Sequence, residues 1–199
     1  MKFLVALTAA VASLVSANPV EIEKRGLTNF DQYSGVRLNL VNASFGPNRG
    51  LYYKGIGLAE IFDNGSPLQA VNAHSNPNVL AYGNLDRLDD DYPYITSKYK
   101  GSSGTFNLES FYYGCIIGNF AGNCTIAIAG YANGTKVAGQ RFDYRPTVSQ
   151  GASMVQLRLD SSWQGIDSVR FLTAFLDRAQ HPDLGGATFL DDIRYTYFS

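Results

Sequence analysis

Apolar residues in this chain alternate with polar ones over short stretches, and beyond residue 25 no segment sustains the 3.6-residue period of a long helix. Residues 36–41 alternate, and residues 51–58 read as one strand loosened by Gly55 and Gly57. Residues 63–78 are rich in Asn, Gly, Ser and Pro and read as a loop. A short strand is predicted at 80–82, ahead of an acidic run at 86–91. Residues 105–113, 125–132, 136–144, 154–159, 169–175 and 187–197 supply the regular half. Asn133-Gly134 falls between two of these runs, and that dipeptide tolerates the positive φ angles of a type I′ hairpin turn. In 154–159 strict alternation places Val155, Leu157 and Leu159 on one face. The pattern predicts about nine or ten strands, and hence an all-β, two-sheet antiparallel β-sandwich whose inner faces cover each other. Core positions are expected at Phe106, Leu108, Ile126, Ile128, Leu157, Leu159, Val169, Phe171, Phe189 and Ile193.

The first residues break the pattern. Lys2 precedes an apolar run that ends near Val15, and Val15-Ser16-Ala17 offers the small residues of a cleavage site. Residues 1–17 therefore read as a signal peptide, too short in its apolar run to span a bilayer. Residues 18–25 read as a short propeptide ending at Lys24-Arg25, a kexin-type basic pair that points to a fungal or similar eukaryotic source. The alternative is an exposed pair in a flexible terminus. Residues 26–199 are then one secreted, extracellular domain, with no later stretch apolar enough for membrane insertion.

Charge narrows the partners. With Lys2, Lys24, Arg25, Glu21 and Glu23 removed from 16 basic and 17 acidic residues, 13 face 15, which offers no reason to expect nucleic acid or an anionic membrane. The two cysteines, Cys115 and Cys124, read as a disulfide in a secreted chain, a metal site being poorly supported without a nearby histidine. Sequons stand at Asn42, Asn64, Asn123 and Asn133 and mark candidate surface glycans.

Catalytic signals are lacking: only His74 and His181 are present, neither beside a nucleophile, and no serine-hydrolase elbow, zinc helix or phosphate loop occurs. Paired carboxylates could still serve glycoside hydrolysis. Asp31 near the start and Asp191 with Asp192 near the end could meet around one calcium ion if the terminal strands adjoin. In a regular strand Asp191 and Asp192 face opposite ways, so at most one faces such a site. The alternative is that Asp191 hydrogen-bonds a neighbouring turn and Asp192 is solvated. No cofactor is required by any motif.

A wider pattern runs through residues 104–112 (GTFNLESFY), 126–134 (IAIAGYANG), Val137, Gln140, Phe142, Trp163, 165–171 (GIDSVRF) and 189–193 (FLDDI). It resembles the secreted β-sandwich domains of fungi and exported bacterial proteins that have a galactose-binding-like jelly roll. The resemblance spans roughly residues 30–197 and implies the fold more than a function, since some such domains bind carbohydrate and others hold proteins together. It also implies that Cys115 and Cys124 are the pair of the fungal members, and that Trp163 takes the place of a buried Phe.

Sugar recognition needs aromatic rings for the apolar faces of pyranoses and amides or carboxylates for the hydroxyls. Tyr92 and Tyr94, flanking Pro93 beside Asp89 and Asp91, are the first candidates, followed by Tyr52 and Tyr82. Of the adjacent Tyr52 and Tyr53, one must face the core. The sequence is therefore expected to encode a non-catalytic secreted module that binds a glycan. The alternative is a structural or effector-like factor that meets an extracellular protein, and a hydrolase ranks third.

Overall fold

A computed structural model describes residues 23–33, 45–61, 70–83, 92–179 and 183–199. The expected strand at 36–41, the acidic run 86–91 with Asp89 and Asp91, His181, and the sequons at Asn42 and Asn64 lie outside the described residues, as do residues 1–22.

The described chain is all-β, with two antiparallel sheets packed face to face. The first sheet follows the order β13 (Val155–Arg158), β8 (Thr105–Ile117), β15 (Gly186–Phe198), β6 (Asn78–Gly83) and β4 (Gly57–Glu60). Two further strands join it: β1 (Glu23–Thr28) pairs with β15, and β9 (Phe120–Ala121) pairs with β8. The second sheet runs β11 (Thr135–Tyr144), β10 (Cys124–Ala132), β14 (Ser168–Phe175), β7 (Tyr94–Thr96), β3 (Leu51–Lys54) and β2 (Gly46–Asn48). A small parallel pair, β5 (Val71–Asn72) with β12 (Ala152–Ser153), completes the set.

Alternation explains the core. In β10 the even positions 124, 126 and 128 are buried, and Ile126 and Ile128 meet the other sheet. Phe111 of β8 packs edge-to-face on Phe171 of β14 with ring centroids 6.1 Å apart, and Tyr82 of β6 leans on the same ring at 5.8 Å. Each such buried aromatic contributes on the order of 2 kcal/mol. The nine other expected core residues are buried, while Leu159 is half-buried against the cluster. Val155 differs: it is exposed on the edge strand β13, and Met154 and Leu157 turn inward instead. Strict alternation reads which residues share a face but not whether an edge strand has its outer positions covered.

Trp163 sits in a single 3-10 turn, Ser161–Trp163, capped by Asp160, whose carboxylate accepts from the Ser162 N–H at 2.9 Å. Its indole is 1% exposed, as expected of a core residue. A methyl at Gly130 would stand 3.2 Å from that indole, so glycine there admits the ring.

The disulfide joins Cys115 of β8 to Cys124 of β10, and so ties one sheet to the other. The β10–β11 hairpin turns at Asn133 (φ 50°) and Gly134 (φ 80°), as the dipeptide predicts. Residues 51–58 are not one strand. The chain turns at Gly55, φ 65°, and passes from β3 in the second sheet to β4 in the first. Lys24 and Arg25 lie within β1, opposite Tyr197 and Thr196, so the peptide bond after Arg25 belongs to a paired strand.

Candidate functional site

The outer face of the second sheet carries the side chains that alternation turns away from the core. Its register sets three rows across neighbouring strands. Lys136, Tyr131, Ser168, Thr96 and Tyr52 form one row. Gly139, Ala129, Arg170, Tyr94 and Lys54 form the next, and Arg141, Ala127 and Leu172 the third. Successive rows are about 7 Å apart and neighbouring strands about 4.8 Å apart.

Size varies sharply along these rows. Ala127, Ala129 and Gly139 leave a low floor, around which stand Tyr131, Arg170, Leu172, Arg141, Lys136 and, from the segment before β7, Tyr92. The result is an open trough of about 420 Å³. The Arg170 guanidinium lies 4.7 Å from the Tyr131 ring centroid, so the aromatic face holds the charge flat against the wall. A methyl at Gly139 would stand 3.0 Å from Lys136 Nζ, which shows that this ammonium folds back over the floor. Arg141 and Gln140 are exposed on β11. At the hairpin tip Lys98 Nζ lies 2.6 Å from Asp167 and 3.0 Å from Asn133 Oδ1. Burial raises the Asp167 pKa, but Lys98 and the Asn133 N–H outweigh it and hold the carboxyl below its ordinary value.

The expected ligand residues separate on this frame. Tyr92 is 42% exposed and lines the trough. Tyr94 faces outward from β7, beside Arg170 in register, with Lys54 Nζ 5.5 Å from its ring. Tyr52 is outward too, stacked on Tyr99 with centroids 4.1 Å apart and planes within 5°, while Tyr53 is the core member of the pair. Tyr82 is a correction. It is buried between the sheets, its hydroxyl paired with Thr173 at 2.9 Å and its pKa pushed up to about 12 by burial. A fully buried residue offers no face to a ligand. Ala127, Ala129, Tyr131, Gly139, Arg141 and Arg170 went unrecognised in the sequence. For part of the set the signal was present, because placing Ile126 and Ile128 inside obliges Ala127 and Ala129 to face out, and placing Val169 and Phe171 inside does the same for Arg170.

The carboxylates expected around a cation gather elsewhere, where the segment before β6 meets β15. Asp191 is fully buried; its oxygens accept from the Ser75 N–H at 2.8 Å, the Ser75 hydroxyl at 3.0 Å and the Asp192 N–H at 2.7 Å. Asp192, at φ 46°, turns its carboxylate to His74 Nδ1 at 2.6 Å, and the His74 ring stacks on Tyr112 with centroids 3.4 Å apart. Asp31 joins through Asn78, whose N–H it accepts at 3.5 Å, and burial raises its pKa, with Asp192 adding to the rise. Burial pushes Asp191 up to about 7 against the hydrogen bonds it accepts. The three aspartates thus share one region of the fold, through hydrogen bonds to Ser75, Asn78 and His74. Among the described residues no three His, Cys, Asp or Glu side chains are disposed to hold a metal ion.

Of the described sequons, Asn133 stands exposed at the hairpin tip, whereas the Asn123 amide donates to Asp177 at 2.9 Å.

No family model matches the chain, and no curated protein does. Among solved structures, a DUF4465 family protein from Bacteroides caccae ATCC 43185 has a similar fold. It superposes with a TM-score of 0.55 at 11% identity, over 86% of this chain and 98% of the other. At that identity the likeness shows the sandwich alone. No described helix is long and apolar enough to cross a membrane.

Proposed function

We propose that this chain is a secreted, non-catalytic binding module of galactose-binding-like jelly-roll type, and that it takes a carbohydrate chain in the trough on its second sheet. The observation that carries this reading is the trough's build: a floor of Ala127, Ala129 and Gly139 between aromatic and hydrogen-bonding walls. Small floor residues let a flat pyranose approach the sheet. Tyr92 and Tyr131 offer ring faces for its C–H groups, and Lys136 and Arg141 offer donors for its hydroxyls.

The exposed large apolar residues favour this over a protein-docking factor, since Leu27, Val137, Val148, Val155, Leu176 and Leu184 are spread over both sheets and their connections, and only Tyr92 and Leu172 share the trough. A protein interface would gather them. The non-catalytic part is supported by the trough's described lining, which holds no carboxylate, histidine, serine, threonine or cysteine.

Filling the floor tests the reading. Ala129→Trp is expected to cut retention in affinity electrophoresis on whichever plant or fungal polysaccharide the parent protein binds by tenfold or more, with Tm within a few degrees of the parent's. If the parent migrates unretarded through every neutral and acidic polysaccharide gel, the trough is not a glycan site.

A further inference from the structure

The described lining of the trough is cationic. Three cations stand in or over it, Arg141, Arg170 and Lys136, and none of its described lining residues is a carboxylate. The chain as a whole has 16 basic and 17 acidic residues, so this concentration does not follow from composition. Nor are the two arginines spent on acidic neighbours. Arg170 is held over the Tyr131 ring, a contact that orients the guanidinium, and neither it nor Arg141 makes an ion pair with another described residue. The nearby Asp143 of β11 is paired with Arg145 at 3.1 Å instead.

Placement matters as much as sign. Arg170 sits on β14, beside the Ala129 row, and Arg141 on β11, beside Ala127, so the floor lies between them. Two strand steps and one row put their backbones roughly 12 Å apart along the diagonal. That is more than the width of one sugar ring. A chain laid along this diagonal can present acceptors to both from separate residues, and Lys136 Nζ over Gly139 supplies a further cation on the β11 side. Guanidinium groups pair best with planar carboxylates.

Resting on the glycan reading above, we infer that the trough selects an acidic polysaccharide, a chain of uronic acids. Arg170 and Arg141 take carboxylates on separate residues, while the tyrosines and the small floor take the ring between them. The selectivity lies in the arginine pair, and the shape lies in the floor.

The probes are polygalacturonate and the same polymer fully methyl-esterified, which share every hydroxyl and ring and differ in charge. Both are measured by isothermal titration with the secreted protein in buffer free of divalent ions. Polygalacturonate is expected to bind about tenfold or more tightly than the ester at low salt, and to lose that advantage as salt rises. Arg141→Gln and Arg170→Gln should each weaken the acid form about fivefold and weaken the ester less, with Arg170→Lys restoring part of the loss. The salt titration of the parent protein needs no variant to fold. Equal affinity for the two polymers, or arginine variants that bind both as before, would overturn the acidic selectivity while leaving a neutral glycan site standing. Binding of neither polymer, with no other glycan retained, would remove the site itself. Polyglutamate binding as tightly as polygalacturonate would show that charge alone is read, and would overturn the commitment to sugar.

Discussion

Asp191 and Arg170 are both charged residues on long strands of this sandwich, yet their surroundings are opposite. Asp191 is shut into the first sheet, its oxygens filled by Ser75 and the next backbone N–H. Arg170 lies on the open face of the second sheet, with an aromatic ring behind it and small residues beside it. A polar group that is buried and fully hydrogen-bonded holds two segments together, and its loss is felt as stability. One left outward and uncompensated adds little to stability and is available to a ligand. The node at Asp191 therefore belongs to the architecture, and the trough to recognition.

Removing the buried carboxylate should give the largest effect. Asp191→Ala leaves the Ser75 N–H and hydroxyl without their acceptor, and urea unfolding at pH 5 is expected to show a loss of about 3 kcal/mol. A loss below about 1 kcal/mol would mean that the segment before β6 is held by other contacts. The comparison would then fail on its structural side.

The same carboxylate sets a pH dependence of unusual sign. Its folded pKa is about 7 against an ordinary value of 3.8. Between those values the native state keeps a proton that the unfolded chain has released, so stability falls as pH rises through that window. Asp31, also raised, adds in the same direction. Asp167, held low by Lys98 and the Asn133 N–H, acts oppositely: its contribution is present above the unfolded pKa and lost as pH falls through the folded one. Stability should therefore peak near pH 4 to 5 and decline by on the order of 2 kcal/mol toward pH 8. In Asp191→Ala the decline should largely disappear. A flat parent profile, or stability that rises toward pH 8, would show that Asp191 is ionised in the fold. Added calcium that restores stability at pH 8 would put a cation, rather than a proton, at the node.

How far the sequence shows this division depends on what each feature requires. The sandwich, the Asn133-Gly134 turn and the disulfide rest on local signals, namely alternation, a dipeptide and a lone cysteine pair, whereas the burial of Trp163 was implied by the resemblance, which puts a buried Phe in its place. That Asp31, Asp191 and Asp192 could meet was foreseen only as ligands of a calcium ion, from the idea that terminal strands adjoin. What held them was not, because Ser75, His74 and Asn78 reach them across more than 40 residues of chain. Tyr82 misled because a tyrosine can be core when its hydroxyl finds a partner, and Thr173 lies 91 residues away. The trough was missed for a different reason. A site built partly from the absence of side chains, at Ala127, Ala129 and Gly139, has no residue type to draw the eye. It becomes visible only when register sets those gaps beside Tyr131, Arg141 and Arg170.

The smallest expected effect is the sharpest check on the contrast. Arg141 is exposed and makes no ion pair among the described residues, and Ala129 is a floor residue with open space above it. Neither should matter to folding, because surface substitutions away from caps, cavities and buried networks stay within about 0.5 kcal/mol. The double variant Arg141→Gln with Ala129→Ser is expected to unfold in urea within that margin of the parent, and the two changes should add without coupling. A loss above about 1 kcal/mol would show that the row through Arg141, Ala127 and Leu172 carries packing that the exposed positions do not reveal. Near-neutrality would mean the reverse: a concentration of positive charge kept on an open face at no gain to the fold, whose reason must lie in what the face meets.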